Sequence, residues 1–418
     1  LSNNGYEIID LGIKCPPDVL IQAVKEHQPD LIGLSGLLVK SAHQMVNTAQ
    51  DLKSAGINIP ILVGGAALSE AFTNKKIATE YEGPVIYCKD AMKGLDVANN
   101  LSSDDKTAWI NTYKEKSAQA LTEKTDSVKK TKRPIKDRII YDFSKSHAKP
   151  NHLNPTIIET GLKTIWPYIN PQMLYGNHLG LKGNVEIKAE NKDPKTVKMI
   201  KLVESLRDKI IEDNVVKAKA VYQFFNARTE DNVLVIMDEK NEKERLRIPF
   251  PRQSDGHQRC ITDFVNPEGD TIAFFVVTCG EGISDLAADL MKKGDYVNAH
   301  AIQAIALECA EGMAEYIHEK IRQDWNIGDP EKLSNKDLFK LKYTGIRVSF
   351  GYPACPRLED QAHIWHLLKP EETIDVRLSE EFMMEPEASV SALVFNHPDA
   401  QYFRINEEDV GLFEAALT

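Results

Sequence analysis

The chain has 418 residues, enough for two or three hydrophobic cores, since single cores rarely grow beyond about 250–300 residues. Its composition, 42% hydrophobic and 27% charged, is that of a globular protein, and no apolar run approaches the ~18 residues of a membrane-spanning helix. A formal net charge of −11 argues against a nucleic-acid binder, whose surface must be basic to offset phosphates.

The first residues, Leu1-Ser2-Asn3-Asn4, carry neither an initiator Met nor a signal-peptide pattern, so the chain is expected to be a piece of something longer. Residues 1–103 alternate short apolar strands with helical stretches. The pattern predicts strands at Tyr6–Leu11, Leu31–Ser35, Pro60–Val63 and Val85–Cys88, with helices at Pro17–His27, Ala42–Ala55 and Glu70–Tyr81. Such alternation implies a parallel sheet covered by helices on both faces. Ligands of such sheets sit at the carboxyl ends of the strands, where Ser35-Gly36-Leu37 and Gly64-Gly65-Ala66 fall. Glycine there either lets a backbone approach a ligand or simply closes a tight turn, and both readings stand.

Residues 104–140 are polar and contain Lys129-Lys130-Thr131-Lys132-Arg133-Pro134. They read as a partly helical, solvated linker rather than a basic docking patch. Residues 141–418 change pattern. A long helix is predicted at Thr196–Asp213, then strands at Ala218–Phe225, Asn232–Met237, Arg245–Ile248, Gln258–Thr262 and Ile272–Thr278, spaced as a meander. A helical stretch follows at Ser284–Trp325, and the whole is an α+β domain with an antiparallel sheet and long helices.

Six cysteines (Cys15, Cys88, Cys260, Cys279, Cys309, Cys355) stand singly, with no CxxC pair. That disfavours a structural zinc site or a disulfide framework and suits a reducing, cytoplasmic setting. No Ser/His/Asp or metal constellation stands out, so neither catalytic nor metal-ligating residues are assigned; His43, His178, His318 and His397 read as satisfied surface or core histidines.

The most informative segment is Gly345-Ile346-Arg347-Val348-Ser349-Phe350-Gly351-Tyr352-Pro353-Ala354-Cys355-Pro356. Its prolines and glycine predict a shaped loop. Arg347 offers a planar donor fork for a carboxylate, Tyr352 a face for stacking, and an extended backbone with unpaired amides could read an adenine edge. Without more, a Pro-rich turn with a surface Arg accounts for the segment as well.

This segment resembles the signature of the activation domain of cobalamin-dependent methionine synthases. Further blocks are similar in the same order: Trp166-Pro167-Tyr168-Ile169-Asn170, His178-Leu179-Gly180-Leu181-Lys182-Gly183, Ala314-Glu315-Tyr316-Ile317-His318-Glu319, Ala388-Ser389-Val390-Ser391 and Asn396-His397-Pro398-Asp399-Ala400-Gln401-Tyr402-Phe403. The first hundred residues resemble the cobalamin domain of the same family through 30–38, 61–67 and 83–87. The resemblance implies an incomplete, Rossmann-like (flavodoxin-like) α/β cobalamin domain over 1–103, then the 104–140 linker and an S-adenosylmethionine-binding activation domain over 141–418.

On that resemblance, Arg347 holds the S-adenosylmethionine carboxylate, while Ser349, Gly351 and Tyr352 line the adenosyl group and Tyr402 and Phe403 add a contact pair. Asn170 falls where the family commonly has Asp; it keeps an acceptor but lacks the charge that would pair with an ammonium. Glu311 is a further candidate, with a solvated helix face as the competing reading. Ser35, Val39, Gly64, Gly65 and Ala91 match positions around the cobalamin tail, Val39 standing where the family often has Thr. The DxHxxG motif, whose His ligates cobalt, is not in the chain and is expected upstream of Leu1. The family's chemistry implies cobalamin (as methylcobalamin) and S-adenosylmethionine as cofactors. It also implies a flavodoxin-like electron donor, upstream homocysteine and folate modules with zinc confined to them, and no nucleic acid or membrane. A separate corrinoid- or S-adenosylmethionine-binding module without turnover is the alternative.

Overall fold

The computed structural model describes the chain except residues 1–4, 13–14, 37–38, 66–67, 104, 115–133, 147, 214–215, 330, 332, 380–381 and 418, and the side chains of 39, 40, 43, 91, 284, 407 and 417. It forms two compact units, Leu1–Thr131 and Lys132–Thr418.

The first unit is built on three parallel strands, β1 (Ile32–Ser35), β2 (Ile61–Gly64) and β3 (Val85–Tyr87), in that spatial order. Their register pairs Ile32 with Ile61 and Ile61 with Val85. Strand alternation sends Ile61 and Val63 to one face, where they meet Leu20 and Val24 of helix α1 (Pro17–His27) and Ala49 and Leu52 of α2 (Val39–Ser54). It sends Leu62 and Ile86 to the other, against Val97 and Leu101 of α3 (Ala91–Leu101). Each helix has a local reason to start. Pro17 occupies the first turn of α1, where its missing N–H is no loss, and the Asp90 carboxylate accepts the Lys93 N–H at 2.8 Å to cap α3.

Two expectations for this unit need correction. Tyr6–Leu11 is not a strand; it makes no ladder with β1, and Ile8 and Ile9 stay exposed, because an apolar alternation becomes a strand only beside a partner edge. The predicted helix Glu70–Tyr81 is an α turn at Glu70–Phe72 that widens to a π turn at Thr73–Ile77 and tightens to a 3-10 turn at Ala78–Glu80. Residues 106–114 form a further helical stretch whose Trp109, Ile110 and Tyr113 pack on the α3 face. The basic run Lys129–Arg133 lies outside the described residues.

The second unit is an antiparallel sheet in the order β7-β6-β5-β8-β12-β9. These strands span Glu244–Pro249, Val233–Met237, Lys217–Glu230, Asp270–Thr278, Ser389–Phe395 and Ile346–Val348 respectively, and β4 (Thr156–Gly161) lies beside the first half of β5. A small ribbon of β10 (Arg377–Leu378) and β11 (Met384–Glu385) stands apart. In the centre, β8 is apolar on both sides. Phe275 and Val277 join Tyr222, Phe224 and Val394 in one core, while Phe274 and Val276 join Val221, Leu393 and Phe395 in the other. The first core lies beneath helices α4 (Pro194–Glu212), α5 (Ile283–Lys292) and α6 (Tyr296–Asp324); α7 (Ala362–Leu368) covers the second.

The predicted stretch Ser284–Trp325 is therefore two helices, parted where Gly294 takes φ 77° and Asp295 accepts the Asn298 N–H to begin α6. The predicted strand Gln258–Thr262 is instead a turn leading into a 3-10 turn at Ile261–Phe264. There the Asp263 carboxylate accepts the Cys260 N–H at 2.8 Å and grips Arg252 with both oxygens, at 2.7 and 2.9 Å. Those local bonds outcompete a ladder. Among the described residues no helix is long and apolar enough to cross a membrane, and all six cysteines are free thiols.

Candidate functional site

Arg347 sits in the short edge strand β9, whose register places it opposite Val394 of β12. Its neighbours Ile346 and Val348 are buried in the second core, so alternation turns Arg347 to the opposite face, toward α6. There its Nη1 meets Glu315 Oε2 at 2.5 Å, with the Arg347 side chain 20% exposed and Glu315 8%. Burial works against the guanidinium charge, but the Glu315 carboxylate overrides it and raises the Arg347 pKa above its ordinary value. The guanidinium is thus a permanent cation braced from behind and open to solvent on one side.

Glu315 belongs to a stripe. Glu308, Glu311, Glu315, His318 and Arg322 recur along α6 at alternating spacings of three and four, which stacks them on one face of the helix. All but Glu311, which is exposed, are buried. Burial, then the positive charges of Arg322 and Arg347, depress the His318 pKa well below the imidazole range. Arg322 donates to Asp329 at 2.8 Å and stacks on Tyr343, its guanidinium carbon 4.4 Å from the ring centre. Sequence reasoning missed Glu308, Glu315 and Arg322; the signal was their heptad-like recurrence within an alanine-rich helix. It also read His318 as satisfied. Neither ring nitrogen has a hydrogen-bond partner among the described residues, which corrects that reading.

After β9 the chain does not run on as an open strand. The Gly351 N–H donates to the Cys355 carbonyl at 2.8 Å, Cys355 N–H to Tyr352 at 2.9 Å, and Tyr352 N–H to Ser349 at 3.3 Å. The expected row of unpaired amides is thus largely spent inside a closed turn, which Gly351 permits by taking φ 82°. The turn buries Ala354 and Cys355, leaves Ser349 half-buried, and lifts Gly351 and Tyr352 into solvent, Tyr352 being 54% exposed. Tyr402 is also exposed and donates from its hydroxyl to the Arg347 carbonyl at 2.8 Å, tying the closing segment to β9. Its neighbour Phe403 points the other way, into the core against Phe264.

Asn170 caps a π turn at Gln172–His178: its side-chain oxygen accepts the N–H groups of Gln172 at 3.0 Å and Met173 at 3.3 Å. The Asn170 N–H donates in turn to Glu308 Oε1 at 3.2 Å, and Glu308 Oε2 lies 3.4 Å from His178 Nε2. Asn170 is thereby held to the same acidic stripe that braces Arg347.

In the first unit, Ser35 and Gly64 end β1 and β2 in register with each other, and Ser35 is exposed. Gly65 takes φ 120°, and a Cβ on it would lie 2.0 Å from the Gly36 carbonyl oxygen. This glycine is required by the close approach of two strand ends. Val39 and Ala91 begin α2 and α3, and their side chains lie outside the described residues. Among the described residues no group of three or more His, Cys, Asp or Glu is placed to hold a metal ion.

The chain is thus, as a class, a two-unit protein: a parallel-sheet unit followed by an antiparallel α+β unit that braces a partly exposed guanidinium. Comparison with known proteins makes the assignment specific. Residues 161–410 match the activation domain of vitamin B12 dependent methionine synthase, and the chain belongs to that family; residues 1–84 match the B12 binding domain. The methionine synthases of Mycobacterium tuberculosis and Mycobacterium leprae are each 30% identical over 97% of this chain, which spans 37% of their length. A crystal structure of the MetH reactivation domain bound to AdoHcy superimposes with a TM-score of 0.63 at 27% identity, covering 68% of this chain and 94% of that one.

Proposed function

We propose that the second unit binds S-adenosylmethionine and that the chain supports the reductive remethylation of cobalamin within a cobalamin-dependent methionine synthase. One observation carries the reading: Arg347, braced by Glu315 and partly open to solvent beside the exposed rings of Tyr352 and Tyr402. The ligand offers a carboxylate, an ammonium, a sulfonium and an adenine. The Arg347 fork suits the carboxylate. Exposed Glu311, whose charge acts on both Arg347 and Tyr352, suits the ammonium. Ser349, Gly351, Tyr352 and Tyr402 line the adenosyl group in this reading, Asn170 adds a polar contact, and Phe403 contributes through its backbone. The AdoHcy in the related reactivation domain supports it.

For the first unit we propose an incomplete Rossmann-like fold over residues 1–103 that meets the cobalamin tail at Ser35, Val39, Gly64, Gly65 and Ala91. The exposed Ser35 hydroxyl beside Gly64 fits a ligand at the carboxyl edge of a parallel sheet. Cobalamin, when bound, supplies the cobalt that accepts the methyl group. The bond that breaks is the sulfonium carbon–sulfur bond, so no residue has to take or give a proton. The task of Arg347 and its neighbours is to hold the donor in one orientation. The electron comes from an external, flavodoxin-like donor, and the homocysteine and folate modules, with their zinc, belong to the longer enzyme.

Equilibrium dialysis of the full chain against labelled S-adenosylmethionine tests the reading. Saturable binding displaced by S-adenosylhomocysteine is expected, and no retention at millimolar ligand would end the proposal.

A further inference from the structure

Five polar atoms on adjacent turns of α6 are buried without a hydrogen-bond partner among the described residues: Glu315 Oε1, both ring nitrogens of His318, and Nε and Nη1 of Arg322. Buried polar atoms are nearly always paired with protein or with ordered water, so a run of five on one helix face calls for ordered water among them. Both ends of the run are anchored. The other oxygen of Glu315 holds Arg347, and Nη2 of Arg322 holds Asp329. Tyr343 closes the side, its ring edge-on to His318 at 4.9 Å.

We propose that His318 is a positioning residue for Arg347, linking Glu315 to Arg322 through one bridging water on each side and thereby fixing the carboxylate that braces the guanidinium. The donor and acceptor inventory selects this arrangement. A carboxylate only accepts and a guanidinium only donates, whereas an uncharged imidazole does one of each. One ring nitrogen therefore gives its proton toward Glu315 and the other accepts from Arg322. The charged groups acting on the ring are Arg322 on its own helix and Arg347 from β9; Tyr343, from the segment before β9, packs edge-on against it, while Glu315 lies one turn before it on α6 and Asp329 is held beyond Arg322. Two cations close by disfavour a third, and burial adds to that. A water on each side would meet both demands, and such bridges hold nearly as well as direct bonds.

The inference rests on Arg347 gripping the ligand carboxylate, and the test separates the two ideas. The full chain and its His318→Leu and His318→Gln variants are titrated with S-adenosylmethionine and with 5′-methylthioadenosine, which keeps the nucleoside but lacks the carboxylate. His318→Leu should weaken S-adenosylmethionine about tenfold and leave methylthioadenosine unchanged, while Gln, able to donate and accept, restores affinity to within about threefold. A Leu variant that binds both ligands like wild type, or loses both equally, overturns the proposal. Should Leu prevent folding, the nitrogen-15 spectrum of the wild-type ring decides. One protonated and one bare nitrogen, unchanged from about pH 5.5 to about 8.5, is expected, and a charged or tautomer-averaged ring refutes it. A wild type that binds neither ligand defeats the S-adenosylmethionine reading, and the spectrum still judges the link between Glu315 and Arg322.

Discussion

The two units place functional groups by different means. In the first, the strands are three or four residues long, and what lies where β1 and β2 end is mostly backbone: Gly36 and Gly65 meet so closely that Gly65 has no room for a Cβ. In the second, long strands and a 29-residue helix carry the working groups as side chains, and the pairs that matter come from distant parts of the chain. Glu315 reaches Arg347 across 32 residues, and Glu308 holds Asn170 across 138. A backbone site is written locally, as a glycine that nothing can replace. A side-chain site is written twice, and neither half reveals the other.

The comparison can be broken at either half. Arg347→Ala should cost about 2–4 kcal/mol of S-adenosylmethionine affinity by calorimetry, the loss of a charge-assisted bidentate contact. Unchanged affinity would show that the braced guanidinium is not the grip. Gly65→Ala should destabilise the first unit by about 2 kcal/mol, since both its φ and its contact with Gly36 exclude a Cβ. Hydrogen exchange should then quicken in β1 and β2 while β5 and β8 keep their protection; equal protection in all four would mean the approach is not constrained.

The buried imidazole sets a pH dependence. His318 is uncharged in the folded state, so below the unfolded value of about 6.5 the unfolded chain takes up a proton that the folded chain does not. Stability of the second unit should therefore fall with falling pH, this group contributing at most about 1.4 kcal/mol per pH unit. Urea midpoints from pH 8 down to about pH 5 should show that slope in wild type and a shallower one in His318→Gln; identical slopes would mean the ring takes up its proton as readily folded as unfolded. The smallest effect is expected from Asn170→Asp. The carboxylate keeps the cap and adds a charge for an ammonium, a gain of about 0.5–1 kcal/mol in S-adenosylmethionine binding but none for methylthioadenosine. Equal gains for both ligands would place Asn170 outside the ammonium site.

Much of the scaffold was legible because its signals are local. Pro17 opening α1, the glycine at the end of β2, and the apolar alternation of β8 each mark an element within a few residues. Reading failed where a neighbour decides. Tyr6–Leu11 alternates like a strand but has no ladder partner among the described residues, and Gln258–Thr262 yields to the grip of Arg252 on Asp263. In the candidate site Arg347 was visible as an isolated cation in a proline-rich motif. The Glu308–Arg322 stripe was not, because periodicity shows only that residues share a helix face. Whether that face meets water or a sheet is settled by what packs on it.

By itself the amino-acid order determined the parallel-then-antiparallel division, the position of the guanidinium and the points at which the backbone must be glycine. These follow from short-range sterics and from alternation along single elements. Only the folded chain decided that Arg347 would be braced by Glu315, that the turn after β9 would consume its own amides, and that His318 would lie buried near two cations with no hydrogen-bond partner among the described residues. Hydrogen bonding and charge act over a few ångströms, and which groups come that close depends on how distant segments pack.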